Sequence, residues 1–545
     1  MNALMVLFAG QLAPEALAPV FAGKNSLFLA LERGRSFPGV TKTVVLAREG
    51  EDWPGMPAEI RLERRLVWTK GALLESLSEL SAGFDLSYFA WADCPFLDPV
   101  LAGALADRHL RYAAEYSYAD GWPYGLAPEL LSPGTAGILR KILGDDEGPP
   151  DRDCLFSVLQ KDINAFDIET EISPVDLRCH RLKLCADSKR NLLLLRRFTE
   201  AAGSAAGGAG AMPSAADTER IILEKPGILR SLPNFFPVQV YGGCPQACAF
   251  CPYPAAGKGG GDVPVTGRRD FMEMERFETI LEKITAFSGD AVIDLSLWGE
   301  LGLHPQKMEL AAAVLARPEL ALIIETSGLG WKEEELEQAA DLARNEAEKP
   351  GRKNQMPPLS WIVSLDTADP RRYREIRGAG FSEAAGCAKK LLALFPKDAY
   401  VQAVRAAGAE DDIERFYRSW KEVAPKGAAN IIIQKYDDFC GALPKRQASD
   451  LSPVKREPCW HIMRDMPVLI DGTVPLCRED PDCLKGNGGH PGIPENAGRG
   501  RVLGNVFSDS LETIWRRGES FYLEQCGKKY SGLCVECDEY YTYNF

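Results

Sequence analysis

The sequence predicts an α/β chain in three parts: an α/β sheet domain over residues 1–200, six strand–helix units over 218–445, and a cysteine-rich module over 446–545. Three observations predict it. Apolar, β-prone runs alternate with helix-like segments on both sides of residue 200, the pattern of a largely parallel sheet covered by helices. Between these stretches, residues 201–217 contain an Ala- and Gly-rich run, Ala201 to Ala216, with almost no side chain to bury, the composition of a flexible linker. Many of the fifteen cysteines fall into metal-like spacings, near residue 250 and again beyond residue 458.

Composition sets the bounds. With 545 residues, 46% apolar and 9% aromatic, the chain can fill three or four cores. A net charge of −14 and a pI near 5.2 argue against non-specific nucleic-acid or anionic-membrane partners, because phosphate contacts need clustered Lys and Arg. No apolar run reaches the roughly 18 residues of a transmembrane span, so none is expected. Grouped cysteines read as reduced ligands rather than a disulfide framework, and a cytoplasmic location is expected. The apolar start, Met1 to Gly10, has no Lys or Arg before Lys24 and reads as a buried first strand rather than a signal peptide.

In the first domain, the opening strand leads to a helix-like segment, Ser26 to Arg33, and a second buried strand, Thr43 to Ala47. The run Leu86 to Asp93 is a strand that ends on an aspartate and turns at Pro95 before an Ala/Leu-rich helix. Carboxylates at strand ends are where open α/β sheets bind ligands or metals. Cys154, Cys179 and Cys185 have no metal-like spacing and read as core or surface thiols.

In the second part, strands are expected at Val238–Tyr241, Ala291–Leu297, Leu320–Glu325, Ser360–Asp366, Tyr400–Val404 and Asn430–Gln434. Phe271, Met274, Phe277, Leu281 and Ile284 recur at helical spacing and describe one apolar face. Directly after the first strand, Cys244, Cys248 and Cys251 sit four and three positions apart on a short loop. Such a loop can aim three thiolates at one iron-sulfur cluster and leave one iron of a cubane without a protein ligand. A zinc knuckle would need a nearby completing pair, and no further Cys or His follows before His304. After the sixth strand, Asp437 and Asp438 could serve as acid or base, with ordinary turn residues the preferred reading.

In the third part, Cys534 and Cys537 form a Cys-x2-Cys clamp, and the Asp471-Gly472 turn can bring Cys459 and Cys477 together on a hairpin. Four such thiolates suit a cubane cluster or a structural zinc. Cys483 and Cys526 carry no assignment.

The Cys244-x3-Cys248-x2-Cys251 element, with Phe250 before its last cysteine, resembles the signature of radical S-adenosylmethionine (SAM) enzymes. The resemblance implies a partial (β/α)6 TIM-like barrel and a [4Fe–4S] cluster whose open iron chelates SAM. Trp298-Gly299-Glu300 is similar to the family's Gly-Gly-Glu element with one glycine replaced, and implies that Gly299 and Glu300 receive the SAM amino group. Glu325 to Gly328 is similar to the family's Thr-Asn-Gly turn. Ser364-Leu365-Asp366 with Arg377-Gly378 resembles the family's Ser-Leu-Asp and Arg-Gly pair, and implies that Ser364 and Arg377 contact the SAM carboxylate and ribose.

Gly472-x4-Cys477, Val502 to Val506, Ser510 to Trp515 and Cys534-x2-Cys537 resemble, in order, the SPASM module appended to many radical SAM enzymes. That resemblance implies one auxiliary [4Fe–4S] cluster on Cys459, Cys477, Cys534 and Cys537. Asp93, Pro95 and Tyr124-Gly125-Leu126 resemble nucleotidyltransferases of the cytidylyltransferase type, but Ala9 to Glu15 lacks their Gly-, Arg- and Lys-containing phosphate loop, so a retained fold with lost transfer activity is expected. The whole order resembles the spiro-SPASM family.

These resemblances imply reductive cleavage of SAM to a 5′-deoxyadenosyl radical that abstracts hydrogen from a peptide or protein side chain, with a flavodoxin or ferredoxin as electron donor. Two alternatives stay open: modification of a nucleotide-linked or other small molecule delivered by the first domain, and a non-catalytic iron-sulfur scaffold.

Overall fold

The computed structural model describes residues 1–206, 212–255, 271–349, 352–425, 430–449, 452–453, 455–481, 483 and 501–542. They form two compact units, Met1–Ser231 and Leu232–Phe545.

The first unit is built on a seven-stranded sheet: β1 (Ala3–Phe8), β2 (Val40–Arg48), β3 (Arg61–Arg65), β4 (Leu86–Trp91), β5 (Tyr116–Asp120), β6 (Glu129–Leu131) and β7 (Ile168–Ile172). Its order is β3-β2-β1-β4-β6-β5-β7, parallel from β3 to β4, with β6 antiparallel between β4 and β5. Every residue of β1 and β4 is buried, which is why both read as unbroken apolar runs rather than alternating ones. The helix after β4, Pro99–Arg111, starts where Asp98 accepts the N–H groups of Val100 and Leu101 and where proline fits the first position.

Within the expected linker, the described residues Ala201 to Ala206 and Ala215 to Asp217 are helical. Alanine favours helix, so Lys189–Ala206 runs on into the Ala/Gly stretch. A second helix, Ala215–Glu224, then starts on a capping box between Ser214 and Asp217. Ala215 N–H donates to the Asp98 carboxylate at 2.8 Å, and Arg197 donates to the carbonyls of Ile228 and Arg230. These bonds tie the segment to the first unit and move the boundary from residue 200 to residue 231. Residues 207–211 lie outside the described residues.

The second unit holds six parallel strands in sequence order: β8 (Phe235–Pro237), β9 (Ala291–Asp294), β10 (Leu320–Thr326), β11 (Leu359–Ser364), β12 (Ala399–Arg405) and β13 (Ile431–Lys435). Connecting helices pack Phe277, Leu281, Ile284, Leu391 and Phe416 into the same core as Ile293, Leu322, Trp361 and Val401. This is an open (β/α)6 half-barrel.

Two expectations are corrected. The first strand lies three residues earlier than expected: Val238 N–H still bonds to Asp294 C=O, but Gln239 N–H turns to Val468 C=O at 2.9 Å. Phe271 precedes the helix Met274–Ser288 and stands edge-on to His304, so it is not part of the buried helical face.

The cysteine-rich segment joins the same unit as the barrel. Met466 N–H bonds to Phe235 C=O at 2.9 Å and Val468 N–H to Pro237 C=O at 2.8 Å, so this stretch runs parallel along the outer edge of β8. The Asp471-Gly472 turn closes as expected, with Leu469 N–H on Thr473 C=O at 2.8 Å. The strand after it, β14 (Thr473–Pro475), pairs antiparallel with β15 (Val502–Asn505), while the stretch before it serves the barrel edge. Among the described residues no helix is long and apolar enough to cross a membrane.

Candidate functional site

All six barrel strands send residues from their carboxyl ends into one cavity of about 270 Å³. Cys244, Cys248 and Cys251 line it together with Gly299, Glu300, Ser364 and Arg377, so the structure brings together all seven residues singled out around the first cysteine loop. The loop is docked through its backbone: Ala247 N–H bonds to Arg377 C=O at 3.2 Å and Ala249 N–H to Ile376 C=O at 2.9 Å. Gln246, inside the loop, donates to the Tyr373 hydroxyl at 2.6 Å and accepts from Arg377 Nε at 2.9 Å.

Arg377 is therefore a buried residue of the cavity lining rather than a surface helix-end cation. Its Nη1 also pairs with Asp366, which holds a left-handed φ of 65°. Burial works against the guanidinium charge, but Cys248 and Asp366 more than offset it and its pKa rises. Burial raises the thiol pKa of all three loop cysteines, with Cys244 pushed up to about 12 by burial and then by Glu300. A bare thiolate is thus disfavoured here unless a metal supplies the compensating charge.

Around the second strand end, an added Cβ on Gly299 would lie 1.9 Å from the Tyr241 carbonyl oxygen, so only glycine fits. Trp298, where the related element has glycine, adopts φ 50°. Glycine takes that left-handed conformation without strain, and a tryptophan does not. Here Gln239 donates to the Trp298 carbonyl at 2.9 Å while the indole packs between Tyr253 and Phe439. The Glu300 carboxylate accepts from Gly302 N–H at 3.0 Å, Thr326 Oγ1 at 2.5 Å and Ser327 N–H at 2.7 Å, fixing the turn after β10. Ser364 Oγ donates to Glu325 at 2.9 Å, and Gln402 donates to the same carboxylate at 2.7 Å.

The opposite wall holds Lys435, Asp437, Arg478, Glu479 and Glu539, none of which sequence spacing singled out as a group. The turn reading suits Asp438, which accepts Gly441 N–H at 3.0 Å. It also suits Asp437, which accepts Phe439 N–H at 2.7 Å but lines the cavity as well, where burial followed by Glu479 raises its carboxyl well above the usual range.

A second cysteine group forms beyond the barrel mouth. Burial raises the Cys459 thiol, with the charges of Cys537 and Cys534 adding to it. Burial likewise raises Cys477, helped by Glu479, Cys459 and Cys537, and Cys534 reaches about 11. Cys459 and Cys537 therefore each lie within electrostatic reach of the other three sulfurs. The thiol of Cys440, which sequence reasoning left unassigned, is raised first by the neighbouring Cys537, then by burial and by Cys477. Cys483 packs with Tyr253, Leu297 and Trp298, beside Cys244 and Cys251, whereas Cys526 joins the apolar cluster of Cys459, Tyr522 and Tyr540.

In the first unit, Asp93 lies buried just past β4, as the strand-end reading expects. Its partner is internal: Arg152 donates to Asp93 at 2.5 and 3.1 Å and to Asp187 at 3.2 Å, under the rings of Trp91 and Tyr124. Asp93, Cys185 and Asp187 bring ligand atoms within 4.8 Å of one another, but the guanidinium already pairs with both carboxylates. At the end of β1, Trp68 covers Gly10 so closely that a Cβ there would lie 2.3 Å from the indole. Cys154 and Cys185 are buried thiols and Cys179 is exposed, and all fifteen cysteines are free of disulfides.

The half-barrel, its three-cysteine loop and the cavity at the strand ends define a class of protein, and the model of the radical SAM superfamily matches residues 238–404. The chain belongs to that superfamily. It is 34% identical over 400 residues to an uncharacterized protein of Treponema pallidum (strain Nichols), a match that covers 72% of this chain and 98% of that one. It is also similar to Streptococcus suis SuiB bound to precursor peptide SuiA, with 14% identity, 60% of this chain and 77% of that chain covered, and a TM-score of 0.39. A cytidylyltransferase from Leptospira borgpetersenii serovar Hardjo-bovis shares 16% identity, with 42% of this chain and 95% of that chain covered and a TM-score of 0.33.

Proposed function

We propose that this chain is a radical SAM enzyme of the SPASM subclass that reductively cleaves SAM and removes a hydrogen atom from a peptide or protein side chain. The observation that carries the reading is the shared cavity of Cys244, Cys248, Cys251, Gly299, Glu300, Ser364 and Arg377, in which no other Cys or His is present among the described lining residues. Three thiols suit a [4Fe–4S] cluster with one iron left for SAM. When bound, that pair supplies the 5′-deoxyadenosyl radical, and the protein supplies orientation and a dry enclosure.

The chain's own residues then have assignable work. Arg377 balances thiolate charge at Cys248 and, through Gln246, holds the loop in place. Gly299 keeps the backbone close enough for its polar groups to meet an amino group, while Glu300 and Thr326 fix the turn beside it. Ser364, oriented by Glu325 and Gln402, offers a hydroxyl to the carboxylate or ribose of SAM.

Cys459, Cys477, Cys534 and Cys537 are assigned to one auxiliary [4Fe–4S] cluster. Sulfurs around a single zinc lie about 3.8 Å apart, given Zn–S bonds of about 2.3 Å. The four thiols also suit a structural zinc, and the resemblance to the SPASM module is what assigns them to the cubane. The peptide substrate and a flavodoxin or ferredoxin donor rest on the resemblance to SPASM enzymes. Delivery of a nucleotide-linked substrate by the first unit is disfavoured by Arg152, which stands where a metal ion would bind.

The test is anaerobic reconstitution of the full chain followed by SAM and dithionite. The wild type is expected to hold about eight irons in two cubanes and to release 5′-deoxyadenosine, while a Cys244→Ala, Cys248→Ala, Cys251→Ala variant keeps about four irons and releases none. Wild-type protein that binds iron but yields no 5′-deoxyadenosine is a scaffold, and the enzymatic reading falls.

A further inference from the structure

We propose that the acidic lining of the barrel-mouth cavity is a subsite for a positively charged side chain of the substrate peptide, the ammonium of a lysine or the guanidinium of an arginine. The inference rests on the reading that this cavity takes SAM and a peptide, and it names the kind of residue that the peptide presents.

The charges of the lining do not balance. Each of its described cations already has an acid of its own: Arg377 pairs with Asp366, Lys435 with Asp538 at 2.7 Å and with Glu539, and Arg478 Nε with Glu479 at 3.0 Å. Asp294, Glu325 and Asp437 line the same cavity and are hydrogen-bonded by neutral donors alone. Ser296 donates to Asp294 through its N–H at 3.1 Å and through its hydroxyl. Ser364 and Gln402 donate to Glu325 at 2.9 and 2.7 Å, and Phe439 N–H donates to Asp437 at 2.7 Å.

In each of these three carboxylates the donors fall on a single oxygen: Oδ1 of Asp294, Oε1 of Glu325 and Oδ1 of Asp437. Among the described residues nothing donates to the other oxygen. Glu300 differs, with donors on both of its oxygens. Glu479 repeats the one-sided pattern at greater depth: it lines the cavity, is only 4% exposed, and its Oε2 has no hydrogen-bond partner while Oε1 is held by Arg478. A buried carboxylate oxygen without a donor is costly, so this lining is incomplete until a ligand brings N–H groups and positive charge. Burial also raises the Asp294 carboxyl to about 6, in keeping with the missing countercharge.

An ammonium brings three N–H donors and a guanidinium five, and neither has an acceptor to be repelled by these oxygens. Asp294 and Glu325 stand at the ends of β9 and β10, Asp437 lies just past β13, and Glu479 belongs to the cysteine-rich segment beyond β14. A cationic side chain would therefore be gripped from the barrel and from the cysteine-rich segment at once.

The test measures binding to the full-length, anaerobically reconstituted chain by isothermal titration calorimetry, with and without SAM. The probes are acetylated and amidated tripeptides of alanine with lysine, arginine, norleucine or glutamate at the centre. The lysine or the arginine peptide should bind at least about tenfold more tightly than the norleucine peptide, and the difference between the two tells which cation the lining prefers. Asp294→Asn combined with Asp437→Asn should erase that preference, with Glu325 left in place because it orients Ser364. Equal binding of the lysine, arginine and norleucine peptides overturns the inference, as do tightest binding of the glutamate peptide, a preference that survives in the double variant, and binding of no peptide at millimolar concentration. Competition between the cationic peptide and SAM overturns it too, because the acids would then serve SAM itself. The wild-type series decides even where the variant does not fold. A preference in a chain that releases no 5′-deoxyadenosine leaves the subsite in place and removes the enzymatic reading, whereas 5′-deoxyadenosine release without a preference removes the subsite alone.

Discussion

Each of the two units ends its parallel strands on acidic residues, and the two ends have opposite fates. In the first unit the carboxylates beyond β4 are closed off: Arg152 bridges Asp93 and Asp187, while Trp68 and Trp91 cover the strand ends. In the half-barrel the strand ends stay open on a cavity where Glu325, Asp437, Glu479 and Glu539 face Arg377, Lys435 and Arg478, and three thiols stand at one side. A closed strand-end site satisfies its charges with its own side chains, whereas an open one leaves work for a cofactor and a substrate. The same sheet geometry thus ends in a filled site in one unit and in an open cavity in the other.

Arg152→Ala should break the comparison most visibly. Removing one partner of a buried ion pair costs about 3–5 kcal/mol, so urea unfolding of the first unit should weaken by that amount while barrel iron content is unchanged. Combining Arg152→Met with Asp93→Asn and Asp187→Asn should recover most of the loss, because no unpaired charge is then left buried. A full loss in both variants would mean that Arg152 acts through packing alone.

Gly299→Ala probes the open site. Its Cβ would meet a backbone oxygen at 1.9 Å, so the Tyr241 and Gly299 segments must part, at about 1–3 kcal/mol. SAM binding by the anaerobically reconstituted chain should weaken by at least about tenfold, the equivalent of 1.4 kcal/mol, with cluster iron retained. Unchanged affinity would remove Gly299 from the SAM-binding set.

The smallest effect is expected from pH. His109 is buried between Ser117 and Ser132, and burial lowers its pKa from 6.5 to about 4. Below pH 6.5 the unfolded chain takes up a proton that the folded chain refuses until about pH 4, so stability falls as pH drops through that window. At pH 5.5 the loss should be about 1.4 kcal/mol relative to pH 7.5, and His109→Gln should lack it.

The half-barrel was largely legible in the sequence because β8 to β11 are buried almost throughout and its thiols sit close together on one loop. All six strands overlap or adjoin the expected runs, and the loop cysteines meet Gly299, Glu300, Ser364 and Arg377 as their order suggested. What escaped has no local period. Arg152 stands 59 residues from Asp93, and Glu479 meets Asp437 only through the tertiary fold. In the linker, alanine-rich composition suits a helix as well as a flexible tether, and the capping box at Ser214 and Asp217 marks where the second helix starts. Trp298 shows that a glycine position can be filled by another residue when the surroundings hold the backbone.

The stretch from Met466 to Val468, bonded along the rim of β8, has a practical consequence. A gene cut before residue 459 would yield a sheet whose outermost strand shows bare amides and carbonyls, a template for sticking to other copies. Trimming this protein to the half-barrel alone should therefore give aggregates, and its two groups of cysteines are kept or lost as one piece.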